Sequence, residues 1–179
     1  QGGKPELKLI SIADILRESV SFALRGSSSQ PIFRISPELW AINADAGQIN
    51  QVIHNLVLNA DQAMPESGAI IIGAENITLD SRQHSLPLEP GAYVRISVAD
   101  CGVGIPEHLL NKIFDPYFST KQKGRGLGLT TSFSIIKRHG GHILARSQVG
   151  KGTEFIMYLP AVTKRVSFKP APNFRTPMK

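Results

Sequence analysis

At 179 residues, 41% of them hydrophobic, the chain has the length and composition of one globular domain. It lacks the run of about eighteen apolar residues that a membrane span needs, and its single cysteine, Cys101, excludes an intrachain disulfide and suits a reducing compartment. The net charge of +6 would suggest nucleic acid, but Lys164, Arg165, Lys169, Arg175 and Lys179 crowd the last residues with no acid among them, and the body is nearly neutral.

Taken in chain order, residues 1–5 read as the remnant of a linker from an upstream region. They resemble neither a signal peptide nor a natural start. Ser11 with Asp14 makes a capping-box-like start, and Ile12, Ile15, Leu16, Val20 and Ala23 recur at helical spacing. After a turn at residues 26–30, residues 32–35 and 40–42 predict two short strands split by Ser36 and Pro37. Asp45, with Gln48 three residues on, starts a second helix reaching about Met64. Residues 69–79 and 93–99 are β-rich and joined by a polar, proline-bearing loop ending at Gly91. A short helix follows Pro106, and a longer one spans residues 127–138, closed by Gly140 and Gly141. Strands at 142–147 and 153–159 flank a turn at Gly150 and Gly152. A basic, proline-bearing tail over 161–179 reads as a linker and not as a nucleic-acid arm. Helices and strands mix without a βαβ rhythm. The expected class is α+β: a two-layer sandwich whose mixed sheet is covered by helices on one face.

On the second helix, Ile49, Val52, Ile53, Leu56, Val57, Ala60 and Met64 form one stripe at 100° per residue. Asn55 and Asn59 stack on its flank, either as plain surface amides or as neutral oxygen ligands for Mg²⁺ beside phosphates. Asparagine is a poor helix former, so two on one face need a reason. Val94, Ile96 and Val98 share one face of their strand, and Asp100 continues that phase. A carboxylate there either meets a partner such as a purine amine or caps the turn at Gly102 and Gly104. Gly124, Gly126 and Gly128 interrupt a cationic run of Lys121, Lys123 and Arg125 just before a helix, an arrangement that can cradle phosphate. Phe114, Tyr117 and Phe118 read as core or as anchors for such a lid. No P-loop, protein-kinase signature set, metal-binding Cys/His cluster or Gly-x-Ser-x-Gly elbow occurs.

Residues 51–63 (Gln-Val-Ile-His-Asn-Leu-Val-Leu-Asn-Ala-Asp-Gln-Ala), 100–105 (Asp-Cys-Gly-Val-Gly-Ile), 114–121 (Phe-Asp-Pro-Tyr-Phe-Ser-Thr-Lys) and 124–129 (Gly-Arg-Gly-Leu-Gly-Leu) come in a telling order. With the closing Gly150-Lys-Gly-Thr153 turn, they resemble the N box, first glycine box, F box and second glycine box of bacterial sensor histidine kinases. Those domains belong to the gyrase, chaperone and mismatch-repair ATPase superfamily, and the F box is similar to that of the nitrogen-regulator-like branch. The resemblance covers residues 6–160. It implies a catalytic domain that holds ATP between helices and sheet under a flexible lid. Asn59 would hold Mg²⁺ with Asn55 assisting, Asp100 would read the adenine amine, and Gly102 and Gly104 would let the strand end approach the base. Gly124, Gly126 and Gly128 would shape the lid, Thr153 would support the adenine end, and Ala63, Ile105, Leu127 and Leu129 would complete the cofactor pocket. This chain has Gln62-Ala63 where other branches carry Lys-Tyr, so Lys121 and Arg125 would neutralise phosphate charge and join Asn55 as catalytic residues.

ATP-hydrolysing relatives carry a glutamate base where this chain has Asn55, which favours transfer over hydrolysis. None of the five histidines precedes an acid: His54 and His139 read as structural, and His84 and His108 as solvated. The phosphoacceptor would therefore lie on an upstream dimerisation domain, with a response-regulator receiver domain as the next partner. The chain itself would be a cytoplasmic monomer within a homodimeric full-length protein, including as the cytoplasmic part of a membrane-anchored sensor. A non-phosphorylating ATP-binding switch module is the alternative, and a chaperone or topoisomerase fragment would need a glutamate at position 55.

Overall fold

The computed structural model describes residues 3–82, 85–116, 118 and 128–164. In chain order these form β1 (Lys8–Ile10), α1 (Ile12–Ala23), β2 (Gln30–Ile35), β3 (Ala41–Ala44), α2 (Ala46–Gln62), β4 (Ala69–Leu79), β5 (Gly91–Ala99), α3 (Glu107–Leu110), α4 (Gly128–Arg138), β6 (His142–Gln148) and β7 (Gly152–Val162). Among the described residues the strands make one mixed sheet in the order β1-β3-β7-β5-β4-β2, with β6 pairing along β7. Only β2 and β4 pair in parallel. No helix among them is long and apolar enough to cross a membrane.

The period-two pattern builds the layers. Ile70, Ile72 and Ala74 of β4, and Val94, Ile96 and Val98 of β5, are buried in one cluster with the apolar stripe of α2 and with Leu16 and Val20 of α1. Ile49, Val52, Ile53, Leu56 and Val57 are completely buried, so the 3.6-residue spacing falls where the sheet needs it. Burying each such side chain contributes about 1.5–3 kcal/mol. On the opposite face Leu79, Tyr93, Ile156 and Tyr158 form a smaller cluster, covered by Leu86 and Leu88 from the β4–β5 connection. The rest of that face is open, and there Arg95 stands between Glu75, 3.4 Å away, and Glu154, 3.7 Å away.

Asp45 is the N-cap of α2: its Oδ1 accepts the Gln48 N–H at 3.1 Å. The Glu6 N–H, donated to Oδ2 at 2.9 Å, and that of Gln48 hold the Asp45 carboxyl below its ordinary value. The capping box expected at Ser11 does not form. Ser11 occupies the N-cap of α1 in extended conformation, but its hydroxyl makes no capping bond. The strand β1 was not legible in the sequence. It is an edge strand of three residues, paired only with β3, and Leu9 remains exposed, so no buried alternation marks it.

Candidate nucleotide site

One end of the sandwich gathers most of the candidate residues. Asn55 and Asn59 stand half-buried on the flank of α2, beside its buried stripe. The Asn55 amide donates to the Gly128 carbonyl at 3.3 Å, and the Ser132 hydroxyl donates to the same oxygen at 2.8 Å. The start of α4 is thereby held against the middle of α2. Asn59 makes no side-chain hydrogen bond among the described residues. A Cβ built on Gly128 would lie 3.7 Å from the Asn55 side chain, an ordinary contact, so packing there does not require glycine. Leu129 packs on the main core.

Asp100, at the end of β5, continues the inward phase of Val98, and its Oδ1 accepts the Gly102 N–H at 2.8 Å and the Thr153 N–H at 3.3 Å. The turn-capping arrangement left open above is thus present, and it orients the carboxylate. Thr153 is buried, and its carbonyl accepts the Asp100 N–H at 2.9 Å. The Ser147 hydroxyl joins this group: it accepts the Ile105 N–H at 2.7 Å and lies 2.8 Å from the Thr153 hydroxyl and 2.9 Å from the Gly152 carbonyl. Nothing in the sequence signalled Ser147, a lone serine in a strand. Its role depends on where β6 and β7 bring the loop.

The glycines of the first box serve packing within the protein. A Cβ at Gly102 would collide with the Ala63 carbonyl, and one at Gly104 with the Gln148 carbonyl. Gly104 also has φ +74°, a region glycine adopts without strain. Their missing side chains let the loop lie between the end of α2 and the β6–β7 turn. It is pinned there by Val103 N–H donating to Ala63 O at 3.0 Å and Gly150 N–H donating to Val103 O at 2.9 Å. Ala63, the C-cap of α2, enters the site in this way, through its carbonyl.

Phe114 and Phe118 pack on the core, and the Phe114 ring lies 5.6 Å from Phe133 and 6.4 Å from Phe155. Thr130, also missed in the sequence, donates to the Phe114 and Asp115 carbonyls, both at 3.1 Å, and so ties this segment to α4. Tyr117, Lys121, Lys123, Gly124, Arg125, Gly126 and Leu127 lie outside the described residues, as do His84 and the tail beyond residue 164. The His54 ring lies 5.8 Å from that of Phe22, and His139 is buried and bonded through both ring nitrogens.

A carboxylate oriented on a glycine loop, pinned through Ala63 to a helix that carries two flank amides, suits a nucleotide-binding domain of the helix-on-sheet class. Residues 44–163 match the family described as histidine kinase-, DNA gyrase B-, and HSP90-like ATPase. The chain is 44% identical over 139 residues to the sensor kinase CckA of Brucella abortus, covering 75% of this chain and 15% of that protein. It is 37% identical over 157 residues to the sensor histidine kinase ZraS of Escherichia coli K12, covering 86% of this chain and 31% of that protein. Among solved structures, the catalytic domain of the histidine kinase ThkA superposes with a TM-score of 0.71 at 33% identity, covering 87% of this chain and 96% of that one. The chain belongs to this ATPase family, among the ATP-binding catalytic domains of sensor histidine kinases. It spans less than a third of the length of CckA and ZraS.

Proposed function

We propose that this chain loads Mg-ATP and presents its γ-phosphoryl group to a histidine on a separate dimerisation and phosphoacceptor domain, for relay to a response-regulator aspartate. The observation that carries this reading is a carboxylate already oriented by backbone N–H groups, on a loop pinned through the Ala63 carbonyl to the helix that bears both amides. Asp100 would accept the adenine amine, and Thr153 and Ser147 would keep that carboxylate and the loop in place. Ala63, Gly102, Gly104, Ile105, Gly128 and Leu129 would border the nucleotide. Lys121, Gly124, Arg125, Gly126 and Leu127 would close over the phosphates.

The donor set fits a hard cation that brings phosphate oxygens of its own. No group of three or more His, Cys, Asp or Glu side chains that could cage a metal is present among the described residues, whereas Asn59 offers an unengaged amide oxygen one turn from Asn55. Asn59, with Asn55 beside it, would hold Mg²⁺, which when bound would neutralise phosphate charge. Asn55 cannot take a proton from water at neutral pH, since a neutral amide is no base, so the site favours transfer to an external nucleophile. Domain limits near residues 6 and 160, a linker role for the tail, cytoplasmic placement and a homodimeric parent protein belong to the same proposal.

The test mixes this chain with a separately expressed acceptor hairpin and ATP labelled on the γ-phosphoryl group. Label on the hairpin histidine, lost in Asn59→Ala, is the expected result. No transfer despite firm ATP binding would instead favour a non-phosphorylating switch module.

A further inference from the structure

The two helices that flank the nucleotide end are joined a second time, far from it, by His139. The residue is 9% exposed. Nδ1 lies 2.8 Å from the Ile135 carbonyl oxygen, one turn back on α4, and Nε2 lies 3.1 Å from the backbone nitrogen of Asp45. A carbonyl needs a donor and an N–H needs an acceptor, so only the neutral ring carrying its proton on Nδ1 satisfies both partners. Asp45 is itself fixed, because its carboxylate accepts the N–H groups of Gln48 and Glu6. The chain after the ring is fixed too. Gly140 turns at φ +73°, and a Cβ on Gly141 would collide with the Tyr158 carbonyl.

His139 therefore bonds the end of α4 to the start of α2, while Asn55 bonds the middle of α2 to the start of α4. The two ties stand about 16 Å apart along α4. A helix held at both ends against an antiparallel neighbour cannot slide by a fraction of a turn without breaking one bond.

We propose that His139 is a positioning residue for the nucleotide site. By fixing the end of α4 on the N-cap of α2, it sets the register at which Gly128 meets Asn55. It touches no nucleotide, and the inference rests on the placing of the phosphates at Asn55 and Asn59. The adenine end is independent of it, since Asp100 and Thr153 are tied to each other across β5 and β7.

Asparagine places its amide near the level of Nδ1 and glutamine near that of Nε2. His139→Gln therefore keeps an acceptor for Asp45, and His139→Asn keeps only the link to Ile135. Calorimetric titrations with Mg-ATP and with adenosine would be made at a temperature where circular dichroism reports folded protein. We expect Mg-ATP to bind about tenfold more weakly to His139→Asn and within about threefold of the unaltered chain to His139→Gln, as the loss or retention of one buried hydrogen bond implies. Adenosine binding should be unchanged in both. Unaltered Mg-ATP affinity in His139→Asn overturns the proposal. So does an equal loss for adenosine, the mark of general loosening. If the asparagine variant does not fold, nitrogen-15 spectra of the unaltered chain decide. Scalar coupling across the Asp45 N–H···Nε2 bond must persist in the Mg-ATP complex, and its absence overturns the proposal. Failure of the unaltered chain to bind Mg-ATP, or undiminished binding by Asn59→Ala, would instead refute the nucleotide site itself.

Discussion

Replacing Gly102 with alanine adds one methyl group where there is no room. A Cβ built there falls within 3.0 Å of the Ala63 carbonyl oxygen, carbonyl carbon and methyl group. The φ of Gly102 lies outside the left-handed region, so alanine meets no backbone strain and the effect is steric alone. The obstacle is backbone and not the end of a flexible side chain. The same carbonyl accepts the Val103 N–H at 3.0 Å, so moving it away stretches a bond that pins the loop. Overpacking of this kind costs about 1–3 kcal/mol, which for a domain of this size lowers Tm by roughly 2–12 °C. The assay is thermal unfolding without nucleotide, followed by titration with Mg-ATP. If the glycine served only to admit the base, the nucleotide-free Tm would not move and affinity alone would fall. An unchanged Tm in nucleotide-free Gly102→Ala would refute the packing argument.

Asn59→Ala should abolish Mg-ATP binding with little change in Tm, and the loss should shrink when ATP is titrated with a chelator in place of Mg²⁺. Asp100→Asn should weaken ATP and adenosine alike, which calorimetry would register, because an amide in that place can present a donor to the adenine amine. Ser147→Ala leaves the Ile105 N–H without its acceptor, so unfolding by urea should show a loss of about 1–3 kcal/mol, with weaker adenosine binding. Burial and, secondarily, the nearby Lys137 hold the His142 imidazole below its ordinary value of 6.5. The unfolded chain then takes up this proton first as pH falls. The stability contributed by the neutral ring is present above pH 6.5 and is lost as pH falls below it, through the depressed folded value. A urea-unfolding series from pH 8 to 5 should slope less steeply in His142→Gln, and identical slopes would contradict this.

The layers of the fold were legible because they rest on periodicity. The α2 stripe and the alternation along β4 and β5 need no tertiary information to place their buried face. The contacts that shape the site are of another kind. Ser147, Thr130 and His139 each bond to a backbone group at least 15 residues away, 94 away for His139, and neither propensity nor spacing encodes which strand end or helix end will lie beside them. The resemblance gave Gly102 and Gly104 a place beside the base, but the neighbours that exclude a side chain there are not readable from the sequence. Gly102 and Gly104 are shaped by the Ala63 and Gln148 carbonyls, and those neighbours exist only once the β6–β7 turn has folded over the loop. The capping box at Ser11 failed for the complementary reason. Local pattern proposed a bond that α1, held on the core through Leu16 and Val20, forms without.

The two ends of the site are built by different means, and this bears on what each can do. At the proposed adenine end, Asp100, Thr153, Ser147 and Ile105 are linked through main-chain groups of β5, β6 and β7, whose ladders fix them together. An acceptor held in that way is preorganised, so little ordering cost is met when a base binds. The proposed phosphate end rests on the register of α2 and α4, whose described side-chain ties are single bonds, Asn55 to Gly128 at 3.3 Å beside the site and His139 to Asp45 at 3.1 Å far from it. Such bonds contribute only about 1 kcal/mol each, so the register of α4 depends on both ties being kept, and losing either would disturb the proposed phosphate end while leaving the base end in place. A domain that loads a nucleotide and offers its terminal phosphoryl group to a separate partner, as proposed, would use this division, with the base held by the sheet and the phosphates placed by the register of the two helices.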